Sequence, residues 1–217
     1  MKGFERLKEI CRSAAHERNA CKEGFTALMQ TESVGGIMQV WKDNWDDVYE
    51  SKYADIMVRE IADVYAELQD DFRRSGVYVN EDSNTGLVIV SNPDKPVQVG
   101  GTAKAYVFTA AEVTATDNAQ VYCRADGAHI ILKGHAYGNM RAGMVEVTDF
   151  AEAKGSGKFH TFNAAEVAVS SGKVIDHGHR RIAAYGGTRV YSDATRGIEL
   201  GGQSRLYPLH EYNPEEL

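Results

Sequence analysis

The run Asp176-His177-Gly178-His179-Arg180 is where residue types and spacing come closest to chemistry in this chain. Two histidines at i and i+2 on a strand share a face, and an aspartate beside them can orient one ring. Zinc would require a third and usually a fourth ligand, and His160 is the candidate if it falls on a neighbouring rung of structure. The plainer alternative for the same five residues is a solvated turn. A second chemistry would use acids. Asp149, Glu152, Asp176 and Asp193 are the outward candidates, and glycoside cleavage needs two carboxylates within about 10 Å, one of them raised in pKa. A repeat surface must also carry polar residues, so these acids are equally expected as ordinary surface. The glycine pairs Gly186-Gly187 and Gly201-Gly202 lack the lysine or helix context of a phosphate site. Thr114 and Thr116 form a single Thr-x-Thr pair that carries no weight by itself. No residue is therefore assigned a catalytic, cofactor-binding or metal-binding role, and no cofactor is expected.

The elements that would position such residues fall into two halves that meet near Gly76. Residues 1–76 contain no proline, both tryptophans and only five glycines. The remaining residues hold the other sixteen glycines and all four prolines. In the first half Phe4, Leu7, Ile10, Cys11 and Ala14 recur at helical spacing, and Phe25, Leu28 and Met29 form a second short set. Val34, Ile37, Met38, Trp41, Trp45, Val48 and Tyr49 make a broad stripe with Ser33 as N-cap. A longer helix is predicted from Tyr53 to Ser75, with Gly76 as its left-handed stop.

Beyond Gly76 the period falls to two, and a loose repeat emerges. The stretches A-E-V-T-A-T-D-N, A-Q-V-Y-C-R-A-D-G and A-H-I-I-L-K-G begin at Ala111, Ala119 and Ala128. Each is a small residue, a few alternating positions and a turn residue. Such a unit cannot bury its inner face alone, whereas stacking many in parallel buries a continuous core. The alternation points Ala119, Val121, Cys123 and Ala125 inward and Gln120, Tyr122, Arg124 and Asp126 outward. Between Gly101 and Leu200 there are eighteen alanines but only two leucines, so close-packed facing walls must lie near each other.

The expected fold class is α+β. It comprises a helical domain at residues 1–76, a β transition at 77–96, a thin parallel β-solenoid at 97–207 and a C-terminal cap or tail at 208–217. The alternative is an antiparallel β-sandwich, disfavoured because Asp126-Gly127 is the single tight-hairpin dipeptide. The run from Ala111 to Ala128 resembles uncharacterised bacterial and phage-associated proteins built from A-x-V-x-A-x-D-N units, some with a helical leader. That resemblance implies the fold and transfers no site residue.

Composition narrows the partners. The chain of 217 residues is 43% hydrophobic and 25% charged, as a globular protein is. A formal net charge of −7 argues against nucleic acid, and no run approaches the ~18 apolar residues of a membrane span. The start M-K-G-F-E-R-L-K-E-I-C-R interrupts its apolar residues with charges of both signs, unlike a signal peptide. Three cysteines, Cys11, Cys21 and Cys123, are odd in number and read as free thiols in a reducing compartment, hence a cytoplasmic protein. The outward residues Thr114, Thr116, Gln120, Tyr122, Arg124, His129 and Lys133 are mixed in type. They suit a non-catalytic scaffold or binding module that self-associates or binds protein, with a carbohydrate-active enzyme as the alternative.

Overall fold

The computed structural model describes residues 3–17, 22–51 and 54–215. Cys21 and Tyr53 lie outside the described residues. Five helices come first: α1 (Gly3–Glu17), α2 (Lys22–Gln30), α3 (Val34–Asp43), α4 (Trp45–Glu50) and α5 (Ala54–Arg74). Ser33 caps α3 by accepting the Gly36 N–H at 3.1 Å. The stripe read as one helix from Val34 to Tyr49 is two, because Asn44 leaves helical geometry and caps the Trp41 carbonyl with its own N–H. Helix α5 ends before Gly76, whose φ of 69° only glycine adopts freely.

Strand β1 (Val77–Val79) follows at once, and every strand pairing after it is parallel. This excludes the sandwich. A first sheet stacks β1, β2 (Leu87–Val90), β4 (Lys104–Val107), β6 (Gln120–Cys123), β8 (Tyr137–Met140), the first parts of β10 (Glu152–Thr161) and β11 (Glu166–Asp176), β12 (Arg181–Ala184) and β14 (Ile198–Leu200). A facing sheet stacks β3 (Val97–Val99), β5 (Glu112–Ala115), β7 (His129–Leu132), β9 (Met144–Val147), the second parts of β10 and β11, β13 (Arg189–Tyr191) and β15 (Arg205–Tyr207). The chain is thus a parallel β-solenoid of about eight turns with two strands per turn. The parallel ladder already begins at Val77, so it takes in the 77–96 stretch read above as a transition.

The alternation holds: Ala119, Val121, Cys123 and Ala125 are buried in a core shared by both sheets. Alanines and valines supply most of that core, which is why the sheets lie close enough for a thin solenoid. The turn residue of each repeat unit has a defined task. Asp117, Asp149 and Asn163 have φ near 60°, as do Gly101 and Gly134, which stack with them in the same corner. Asparagine, aspartate and glycine tolerate this left-handed geometry best. The side chains also staple successive turns: Asp117 accepts the Gly101 N–H at 3.1 Å, and Asp149 accepts the Gly134 N–H at 3.3 Å.

The helices lie along the outer side of the first sheet. Val77, Val79, Leu87, Ile89, Tyr106 and Phe108 point away from the solenoid core and join the helical core instead. Trp45 meets Tyr106 and Phe108 edge-on at 5.3 and 6.3 Å, and Tyr49 meets the same two rings at 5.0 and 5.5 Å. Arg124 faces outward as expected, but not into water. It donates to the Tyr49 and Ser51 carbonyls and pairs with Asp55 at 3.7 Å, pinning the helices to the sheet.

At the other end the last turn is open. Leu200 and Leu206 continue two core columns, above Ala184 and Val190, yet are 46% and 42% exposed. The described C-terminal residues turn back along the second sheet instead of covering these two leucines. A 3-10 turn at Leu209–Glu211 lies against β13, and Tyr212 packs on Tyr191 at 5.3 Å, on the outer side of the second sheet.

Candidate functional site

Asp176 closes the second sheet's sixth strand, β11, and its side chain is turned inward and buried. One carboxylate oxygen accepts the Thr161 hydroxyl at 3.0 Å and the Gly178 N–H at 2.9 Å. The other lies 2.9 Å from His179 Nδ1 and accepts the Ser192 hydroxyl at 2.5 Å. His179 Nε2 in turn lies 3.0 Å from the Arg196 carbonyl. Burial pushes the Asp176 carboxyl up, but hydrogen bonds from Ser192, His179 and Thr161 outweigh it and hold the group below its ordinary value. Serine, histidine and aspartate meet here without forming a nucleophilic triad. The serine bonds to the aspartate rather than to the imidazole, and both ring nitrogens are already engaged. The arrangement ties three successive turns together.

His177 and His179 therefore do not act as a pair. His179 is drawn into the interior, whereas His177 is exposed on the outer face, stacked on Phe162 at 4.8 Å. His160 does fall on the neighbouring turn, and its Nδ1 lies 3.4 Å from His177 Nε2. Burial, then the nearby Lys158 and His177, push the His160 imidazole down to about 4, so it is neutral at physiological pH. Among the described residues, no three His, Cys, Asp or Glu side chains converge as a metal centre requires.

The four acids are dispersed. Asp149 staples a corner, Glu152 shares Arg180 with Glu166 on the first sheet, and exposed Asp193 accepts the Leu209 N–H at 2.9 Å. Asp176 and Asp193 border one open depression with His177, His179 and Arg180. A glycosidase acid must have its pKa raised, whereas Asp176 is held low.

A feature that spacing alone did not disclose lies on the outer face of the second sheet. Parallel register places Lys158, Lys173, Arg189 and Arg205 directly above one another. The adjacent outward column holds Glu146, His160, Ile175, Tyr191 and Tyr207. Tyr191 stacks on Tyr207 at 5.4 Å and is buried under Tyr212. The outward positions named from the sequence divide between faces. Thr114 and His129 lie on the second sheet, His129 bonded to Glu146 at 2.9 Å, while Thr116 and Lys133 follow its strands at the corner. Gln120 and Tyr122 lie on the first sheet, where Tyr122 stacks on Tyr106 at 4.7 Å beside a cleft that also includes Asp46, Asn139 and Arg141.

Cys11 and Cys123 are both free, and burial pushes their thiols up to about 12 and about 11. Both are packing residues rather than nucleophiles. No helix among the described residues is long and apolar enough to cross a membrane. No family model, curated protein or solved structure matches the chain.

Proposed function

We propose that this chain is a non-catalytic scaffold and binding module of the cytoplasm, presenting a solenoid face and associating with a second copy of itself through its open last turn. The observation that carries the self-association is the exposure of Leu200 and Leu206 at positions whose counterparts one turn earlier, Ala184 and Val190, are fully buried. Strands β14 and β15 also present edge backbone groups, which invite pairing with another chain. The two strands of a turn run in opposite directions. Any two-fold axis perpendicular to the solenoid therefore brings the edges of two copies together antiparallel and covers both leucines at once. Such a contact closes on itself as a dimer. The end of one turn is small beside the ~800 Å² per partner of a standard interface, so the dimer is expected to be weak.

The absence of turnover is supported by how the most reactive-looking group is used: Asp176, His179 and Ser192 bond to one another inside the fold. The cytoplasmic setting is supported by the buried, unpaired Cys11 and Cys123. Sedimentation equilibrium over a wide concentration range tests the self-association. The wild type should show reversible dimers, and Leu206→Lys with Leu200→Glu should be monomeric with unchanged circular dichroism. A wild type that stays monomeric at the highest concentration refutes it. Turnover of any polysaccharide, abolished by Asp193→Asn, would replace the scaffold reading with an enzyme.

A further inference from the structure

The first sheet carries an aromatic ladder that stops beside a short side chain. Tyr106 and Tyr122 are register neighbours whose rings lie 4.7 Å apart and within 8° of parallel. That separation matches the ~4.8 Å spacing of adjacent strands, so the next ring of the ladder would stand at the next register partner, Asn139. An asparagine is too short to fill the place. Lys154, one turn further, is drawn aside over the Tyr137 ring at 5.6 Å. The Tyr122 face turned away from Tyr106 therefore borders a slot in the cleft beside α4, which also takes in Asp46, Tyr49 and Arg141. The polar groups round this slot differ in kind. Asn139 has an amide donor and acceptor, and its side chain bonds to no described residue. Exposed Asp46 has acceptors only and joins no hydrogen bond or ion pair among the described residues, although its charge reaches the Tyr106 and Tyr122 phenols. Arg141 has N–H donors, one of them given to Glu50. The Tyr122 hydroxyl is donated to Gln120 at 3.1 Å, so what this tyrosine presents to the slot is its face.

We infer that this cleft binds a neutral saccharide, one pyranose ring stacking on Tyr122 over Asn139 and sharing its hydroxyls among Asn139, Asp46 and Arg141. The inference rests on the reading of the chain as a binding module and names the class of its ligand. A pyranose with equatorial hydroxyls turns a flat C–H face to an aromatic ring and carries groups that both donate and accept round its edge. Those properties match one aromatic face bordered by an acceptor, a donor and an amide. An uncharged ring is favoured over an anionic one because two carboxylates, Asp46 and Glu50, border the slot and its guanidinium is already paired with Glu50. A nucleotide or sugar phosphate meets the same objection. An adenine ring stacks as well, but its single amino group gives Asp46 one donor where vicinal hydroxyls give two.

Calorimetric titration tests this, with cellotetraose and triacetylchitotriose as neutral probes of equatorial pyranose rings, and oligogalacturonate and guanosine as the charged and the heteroaromatic comparison. The wild type should bind at least one neutral probe with a Kd on the order of 1 mM, as a single shallow subsite does. Asn139→Tyr extends the ladder into the slot. It should weaken binding at least about tenfold while melting no lower than the wild type, a combination that loss of the fold cannot produce. Asn139→Ala breaks no side-chain hydrogen bond within the described residues, so it should weaken binding at least about threefold with unchanged melting. Tyr122→Phe keeps the face and should stay within about threefold, and Arg181→Gln, on the same sheet but beyond the cleft, within about twofold. No binding of either neutral probe at about ten times that concentration, unchanged binding by both Asn139 variants, or tighter binding of oligogalacturonate or guanosine would each overturn the assignment. Sedimentation of the same samples reads self-association and product analysis reads turnover, so failure here is distinguishable from failure of the scaffold reading.

Discussion

Replacing Asp176 should damage the solenoid more than any other acid-to-amide change. Its side chain is 5% exposed and gathers four donors: the Thr161 and Ser192 hydroxyls, the Gly178 N–H and His179 Nδ1. Asparagine can keep the oxygen that serves Thr161 and Gly178, but it turns an amide N–H₂ toward His179 and Ser192. Hydrogen bonds to a charged group contribute ~1.5–3 kcal/mol each, and they are not additive within one network. Two disrupted contacts therefore place Asp176→Asn at ~2–3 kcal/mol. Asp176→Ala orphans all four donors and should cost ~3–5 kcal/mol, the range for breaking a buried pair. The loss is local in a stacked repeat, so urea denaturation should be read together with native-state hydrogen exchange at Thr161, His177 and Ser192. The pH dependence follows from the depressed carboxyl. Its stabilisation is complete above the unfolded value near 4 and is lost as pH falls through the lower folded value. Asp193→Asn, exposed and holding a single N–H, is the control. If Asp176→Asn costs no more than Asp193→Asn, the network does not hold the turns together.

Arg124→Ala should cost ~1.5–3 kcal/mol by chemical denaturation through loss of its bonds to Tyr49 and Ser51, while Gln120→Ala, its neighbour on the same face, should stay within ~0.5 kcal/mol. Gly155→Ala should lower the melting temperature sharply, since its φ is 120° and a Cβ would lie 1.8 Å from the Met140 carbonyl oxygen; its cost is expected to exceed ~3 kcal/mol. His160 should titrate near 4 by NMR. Because the unfolded ring titrates near 6.5, the folded state loses stability as pH falls from about 6.5 toward 4, and His160→Gln should flatten that slope.

Period and composition carried most of the architecture, and the choice between solenoid and sandwich was left to the strand pairing. Helical spacing of Met57, Ile61, Val64 and Phe72 yields α5, and strict alternation through Ala119, Val121 and Cys123 yields strands with a small-residue inner face. These are local patterns, repeated every few residues, and any fold that buries them must respect them. The aspartate of the D-N unit was equally legible as a turn, although its stapling of the turn below needed coordinates. Tertiary structure decided everything that depends on register. His177 and His179 are two residues apart, yet one lies on the outer face and the other in the interior, because His179 is held between Asp176 of its own turn and the Arg196 carbonyl of the next. Leu87, Ile89, Tyr106 and Phe108 are apolar yet face away from the solenoid core, and only the docked helices explain it. The column of Lys158, Lys173, Arg189 and Arg205 is scattered along 48 residues of sequence and becomes contiguous only when each turn's length is fixed. Turn length varies with corner geometry, and corner geometry is set by contacts between turns rather than within them.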